Sequence, residues 1–93
     1  MNSSVKDNAT YSRYEMPISD DLIAAAYYRI EDGVVILVHT EVPFEYSGQG
    51  IGSRLAEGVF ELIRASGRKI MPKCTFMARF SARHPEYRDL VVS

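Results

Sequence analysis

The sequence predicts an α+β (α/β) fold, with antiparallel strands first, then a β-α-β crossover and a C-terminal helix. Three features predict it. Asp32-Gly33 joins two stretches of strand character, Leu22–Glu31 and Val34–Val42, and Asp-Gly is a strong two-residue hairpin signal. The period then changes, and from Gly50 to Ser66 apolar residues recur at helical spacing. After Gly67 a short strand-like run returns, Lys69 to Cys74. A single helix between two strands makes a right-handed crossover, which sets those strands parallel.

From the N-terminus, residues 1–10 are polar and aperiodic and suit a flexible tail ahead of a single domain over 11–93. Tyr11 to Met16 suits a short strand stopped by Pro17, and Ser19-Asp20-Asp21 suits a turn. In Leu22–Glu31, alternation places Leu22, Ala24, Ala26, Tyr28 and Ile30 on one face. The alanines would also suit a helix; the Asp-Gly turn and the β-branched run after it decide for the hairpin. Its second strand is apolar on both faces through Val38, as in a strand covered on both sides. Alternation continued past that point sets His39 and Glu41 on the face of Val35 and Leu37.

Along the helix, Ile51, Leu55, Val59, Leu62 and Ile63 form an apolar stripe, with Arg54, Glu57, Glu61, Arg64 and Arg68 outward. Arg64 is near enough to Glu57 and Glu61 to offset their charges. Gly67 suits a left-handed C-terminal cap. Pro72 places the next strand at or near a sheet edge. Thr75 can N-cap a second helix that carries Phe76, Met77 and Phe80 inward and Arg79 and Arg83 outward. His84-Pro85 ends it, because a residue before proline avoids the α region.

Composition narrows the function classes. With 93 residues, 46% of them hydrophobic, the chain can bury one modest core. No apolar stretch approaches the roughly 18 residues of a membrane span, and Met1 to Thr10 lacks a signal-peptide core. A cytoplasmic protein, with no membrane partner, is therefore expected. Cys74 is the only cysteine, so its thiol is free. A net charge of −1 argues against a nucleic-acid partner, yet the charge is uneven. Residues 1–47 carry 3 basic and 8 acidic side chains; residues 48–93 carry 8 basic and 4 acidic. The basic half begins at a glycine-rich turn, as a polyanionic ligand would favour.

That turn, Ser47-Gly48-Gln49-Gly50-Ile51-Gly52-Ser53, joins a strand to a helix. Such a junction binds anions through glycine backbone and the free N–H groups of the first helical turn. It is not a Rossmann fingerprint, since Ser53 falls where the third glycine belongs, nor a Walker loop, since no lysine lies between Lys6 and Lys69. It resembles the pyrophosphate loop of the GNAT acyltransferase superfamily, Gln/Arg-x-x-Gly-x-Gly/Ala. Gly50 and Gly52 take the glycine positions, and Ser47 stands where the motif has Gln or Arg.

The resemblance extends from about residue 11 to residue 92. His39-Thr40-Glu41-Val42-Pro43, Gly48-Gln49-Gly50-Ile51-Gly52, Pro72-x-Cys74-x-Phe76 and His84-Pro85-Glu86-Tyr87 follow the order of a family of minimal GNAT-like proteins, little more than the coenzyme-binding core. That likeness implies an acetyl-CoA (coenzyme A) ligand. Glu41, Val42 and Pro43 would line the pantetheine, and Gly48, Gln49, Gly50, Ile51, Gly52 and Ser53 would bind the pyrophosphate. Cys74, Phe76, Arg79 and Arg83 complete the expected coenzyme site. Cys74 and His39 match family residues near the acetyl group.

The implied reaction is N-acetylation of a small-molecule or peptide amine by a monomer or weak homodimer, with no metal. Amine acetylation needs a base for the amine, a polarised carbonyl and an acid for the leaving thiolate. Glu41 or His39 can be the base in direct transfer. Alternatively Cys74 attacks first, activated by His39 or by the N-terminus of the following helix. A non-catalytic coenzyme A or acyl-CoA binding module is the competing class. A small interaction protein that kept only the fold is a third.

Overall fold

A computed structural model of the chain describes residues 5–46 and 48–92. Its strands are β1 (Lys6–Asn8), β2 (Arg13–Pro17), β3 (Ile23–Glu31), β4 (Val34–Glu41) and β5 (Lys69–Pro72). The helices are α1 (Ile51–Ser66) and α2 (Thr75–Arg83), and short 3₁₀ turns cover Ala9–Tyr11, Phe44–Tyr46 and Pro85–Leu90. The strands stand in chain order across one sheet. All neighbours are antiparallel except β4 and β5, which are parallel as a crossover through α1 requires.

The hairpin forms where Asp32-Gly33 predicts it, with both residues at positive φ. Upstream the chain departs from the tail expected over residues 1–10. Lys6–Asn8 add a strand to β2, Val5 is buried, and the Asp7 carboxylate accepts the Tyr28 hydroxyl at 2.6 Å. Polar side chains hid this strand because its anchors are hydrogen bonds rather than apolar contacts. Residues 1–4, also within the expected tail, and Ser47 lie outside the described residues.

The core is a single cluster between one face of the sheet and both helices. Ala24, Ala26, Tyr28, Val35, Leu37 and Ile70 supply the sheet side. Small alanines on β3 let α1 sit close, which resolves their helix-like appearance in the sequence. On α1 the stripe differs from expectation at two large residues. Leu62 is 37% exposed, whereas Phe60 is fully buried, in edge-on contact with Phe80 and Tyr87. Truncating so large a buried ring typically costs about 3–5 kcal/mol. Arg64 also turns away from the helix glutamates, pairing with Asp89, while Glu61 accepts the Tyr87 hydroxyl. These contacts seal the C-terminal turn against α1.

The reverse face of the sheet carries no helix among the described residues. Alternation along β3 should put Ile30 on the core side, but at 45% exposure it lies beyond the packed area. The larger correction concerns β4. Tyr27 pairs with His39 and Tyr28 with Leu37, so Val38 is an extra, bulged residue. One inserted residue reverses every side chain beyond it.

Candidate active site

The site begins where β4 and β5 part. Their pairing runs from Val34↔Lys69 to Leu37↔Pro72 and stops. The amides of Lys73 and Cys74 then both donate to the Leu37 carbonyl, at 2.9 and 3.0 Å, which turns the chain out of the sheet. β4 continues against β3 as far as Glu41↔Ala25. Residues 38–41 are therefore paired on one side only, beside a seam open to an extended, amide-bearing ligand.

Two side chains meet on the helix side of this seam. Thr40 pairs across the strands with Ala26, a core residue, and its Oγ1 lies 3.2 Å from Cys74 Sγ. Cys74 is half-buried against the core and occupies the N-cap of α2 without a side-chain cap hydrogen bond. The cap expected at Thr75 thus falls one residue earlier. No sequence signal singled out Thr40, because without the bulge its side chain would face the other way.

His39 and Glu41 lie on the reverse face, not on that of Val35 and Leu37. The His39 ring approaches Tyr27 with centroids 5.9 Å apart, and its Nε2 is 3.1 Å from the Glu41 carboxylate. Both side chains are 59% exposed. The sheet itself separates His39 from Cys74, so His39 does not activate that thiol. In the next position along the row, Arg13 donates to the Tyr27 hydroxyl at 3.1 Å. Arg13 also bonds Glu15, which holds that carboxyl below its usual range with help from Asn8.

The glycine turn supplies the second part. Gly48 and Gly50 both take left-handed conformations, φ 81° and 77°, which an L side chain adopts only under strain. Gly50 is the N-cap of α1, with no side-chain cap and no acidic residue in the first turn. The first-turn N–H groups, at Ile51, Gly52 and Ser53, are left for an anion. Gly52 has another role. A Cβ there would lie 2.8 Å from the Phe76 ring. Phe76, expected inward, is instead 39% exposed and lies across the start of α1. It helps line a cleft of about 230 Å³ with Ser53, Arg79, Phe80, Arg83 and His84.

A one-sided strand, an uncapped helix behind a left-handed glycine turn, and a basic cleft beside them make a composite anion and amide site. The GCN5-related N-acetyl-transferase family matches residues 13–90. The chain belongs to that family. The fold agrees: the NMR solution structure of a GCN5-like protein from Staphylococcus aureus superimposes with a TM-score of 0.73. That similarity spans 99% of this chain and 90% of the other, at 24% identity. Among curated proteins no match is found.

As a GCN5-related N-acetyltransferase the chain is an acyltransferase, and members of its family generally use acetyl-CoA. The residues present fit that donor. Pyrophosphate needs unpaired N–H groups and has them at Ile51 to Ser53; the pantetheine amides need free backbone, and Val38 to Glu41 have one free side. Arg79 and Arg83, both exposed, add positive charge to the cleft. Among the described residues no helix of this N-acetyltransferase is long and apolar enough to cross a membrane.

Proposed function

We propose that this chain acetylates an amine by direct transfer from acetyl-CoA. The observation that carries the reading is the parting of β4 from β5 beside the left-handed glycine turn. Gly48 to Ser53 would hold the pyrophosphate through backbone N–H groups, and Glu41, Val42 and Pro43 would line the pantetheine. Arg79 and Arg83, with Phe76 beside them, would meet the remaining phosphate and the coenzyme's apolar surface. When bound, acetyl-CoA supplies an acetyl group on a thioester.

The chain's own residues divide the remaining work by face. Glu41, supported by His39 Nε2 at 3.1 Å, is the base that takes the amine proton, directly or through water. The Thr40 hydroxyl and Cys74 thiol, 3.2 Å apart, hold the proton needed on the leaving side. Nothing basic among the described residues hydrogen-bonds Cys74, which favours a proton-donating thiol over a nucleophilic one. A cytoplasmic location belongs to the same proposal, and its reducing conditions would keep the lone Cys74 thiol reduced.

Mass spectrometry after mixing with acetyl-CoA, followed by turnover against a panel of amines, tests this reading. Acetylated amine with unmodified Cys74 is the expected result. Coenzyme A binding without turnover on any amine would instead make the chain a binding module.

A further inference from the structure

The cleft beside α2 is lined by three basic side chains, Arg79, Arg83 and His84, and by no acidic one. Neither arginine reaches a carboxylate among the described residues, where the arginine ion pairs belong to Arg13, Arg29 and Arg64. Both leave their charge for a ligand, and a guanidinium keeps that charge at any working pH. His84 differs, because imidazole is the side chain whose charge ordinarily changes near neutrality.

Three contacts hold the His84 ring at the cleft. It stacks on Phe80 with centroids 4.0 Å apart and planes at 22°, and its backbone N–H closes α2 on the Ser81 carbonyl. Its Nδ1 lies 3.2 Å from the Glu86 carboxylate. A carboxylate only accepts, so Nδ1 carries the proton of the neutral ring and Nε2 is the nitrogen that gains one. Nε2 has no protein partner among the described residues. Glu86 stays charged beside it, held below the usual carboxylate range by its own backbone amide and by His84.

The neighbours divide over whether the ring charges. Glu86 favours the imidazolium by its charge, and Phe80 by its π face. Arg79 and Arg83, from α2, oppose it. On the remaining sides stand Tyr87, its ring 6.5 Å away, and the uncharged Ser53 of α1, while Glu57 and Glu61 of α1 act on Tyr87. A phosphate dianion in the cleft offsets both arginines and leaves charge for a third cation.

We infer that His84 is a third side chain holding the 3′-phosphate of acetyl-CoA, through Nε2–H of the charged ring. The inference rests on the acetyl-CoA reading and adds to it a grip that depends on a proton. The pyrophosphate already has the first-turn N–H groups of α1, whereas a terminal phosphate with three free oxygens matches three converging cations. Coenzyme is then held more tightly below neutrality than above it.

Isothermal titration of the full chain with coenzyme A and with its 3′-dephosphorylated analogue, from roughly pH 5.5 to 8.5, tests this. Any contribution from His39, or from the ligand's own phosphate with its second ionisation at about 6, is common to the proteins compared. At the acid end His84→Gln should bind coenzyme A about fivefold more weakly than the native protein, and at the alkaline end equally. The dephosphorylated analogue should show no such difference. Glu86→Gln, which leaves the ring in place, should move the native tightening to lower pH. Parallel coenzyme A profiles for the native protein and His84→Gln overturn the inference, as does the same change for both ligands or an unmoved profile in Glu86→Gln. No coenzyme A binding at any pH would instead remove the acetyl-CoA reading itself, and the inference with it.

Discussion

Thr40 Oγ1 and Cys74 Sγ lie 3.2 Å apart across the seam where β4 leaves β5. The contact depends on the bulge at Val38, which turns Thr40 toward the helices and His39 away from them. It joins a hydroxyl and a thiol, and among the described residues no basic side chain hydrogen-bonds either. The first prediction follows from that chemistry. Cys74→Ser, which keeps a proton donor, should retain most of the turnover, and Cys74→Ala should lose at most about 10²-fold. Acetyl-Cys74 trapped in the native protein, together with an inactive Cys74→Ser, would establish the covalent route instead.

On the other face, Glu41→Gln should lower kcat by roughly 10²-fold or more, since removal of a general base costs about that much. The KM for acetyl-CoA should change little, because the Glu41 backbone survives the substitution. His39→Gln should cost less, as it supports Glu41 without replacing it. Steady-state kinetics with both variants decides the order, and an unaffected Glu41→Gln removes Glu41 from the base role.

The glycines should respond differently to substitution. Gly50→Val meets open space but must hold a positive φ, at a cost of about 1–3 kcal/mol of strain. It should lose both stability and coenzyme A affinity. Gly52→Ala gains about 1 kcal/mol of helix propensity yet drives its methyl against the Phe76 ring. Its Tm should stay close to that of the native protein while coenzyme A binding weakens. Thermal melts paired with isothermal titration separate the two effects; Gly50→Val binding coenzyme A with native affinity would disprove the phosphate turn.

Arg79 and Arg83 give coenzyme binding a salt dependence. Arg79→Gln and Arg83→Gln should raise the Kd for coenzyme A more than that for its 3′-dephosphorylated analogue, and should flatten the dependence on ionic strength. Equal losses for the two ligands would place these arginines away from the 3′-phosphate.

Stability should fall at both pH extremes. Glu15 and Asp89 have depressed folded-state carboxyls, held by hydrogen bonds from Arg13 and Arg64 respectively. Their contribution is present above the ordinary carboxylate range of about 4 and is lost as pH falls through the depressed values. Tyr28 has the opposite sign. Burial, with its bond to Asp7, pushes its phenol up to about 12. That contribution is complete below about 10 and disappears as pH rises toward the folded value. Tm measured against pH should show both limbs, and Tyr28→Phe should shallow only the alkaline one.

From β2 onward, the sequence alone determined the main elements and their order. Asp32-Gly33 demanded a left-handed turn, the helical period of Ile51 to Ile63 demanded a buried stripe, and Gly67 demanded an end. Those are local requirements, met by backbone sterics and by the period of apolar side chains. The strand–helix–strand order then fixed β4 and β5 as parallel and brought Cys74 to the end of β4 that carries Glu41.

Only the tertiary structure decided which face each reactive group occupies. Extending the alternation of Val35 and Leu37 placed His39 and Glu41 among the core residues, whereas the bulge at Val38 put Thr40 there. A bulge is chosen by how two strands fit together, so no pattern within one strand reports it. The strand Lys6–Asn8 was hidden for a related reason, since Asp7 and Asn8 gain their partners, Tyr28 and Glu15, from the neighbouring strands β3 and β2. Local physics determined what the elements are; the pairing of distant strands decided where their chemistry points.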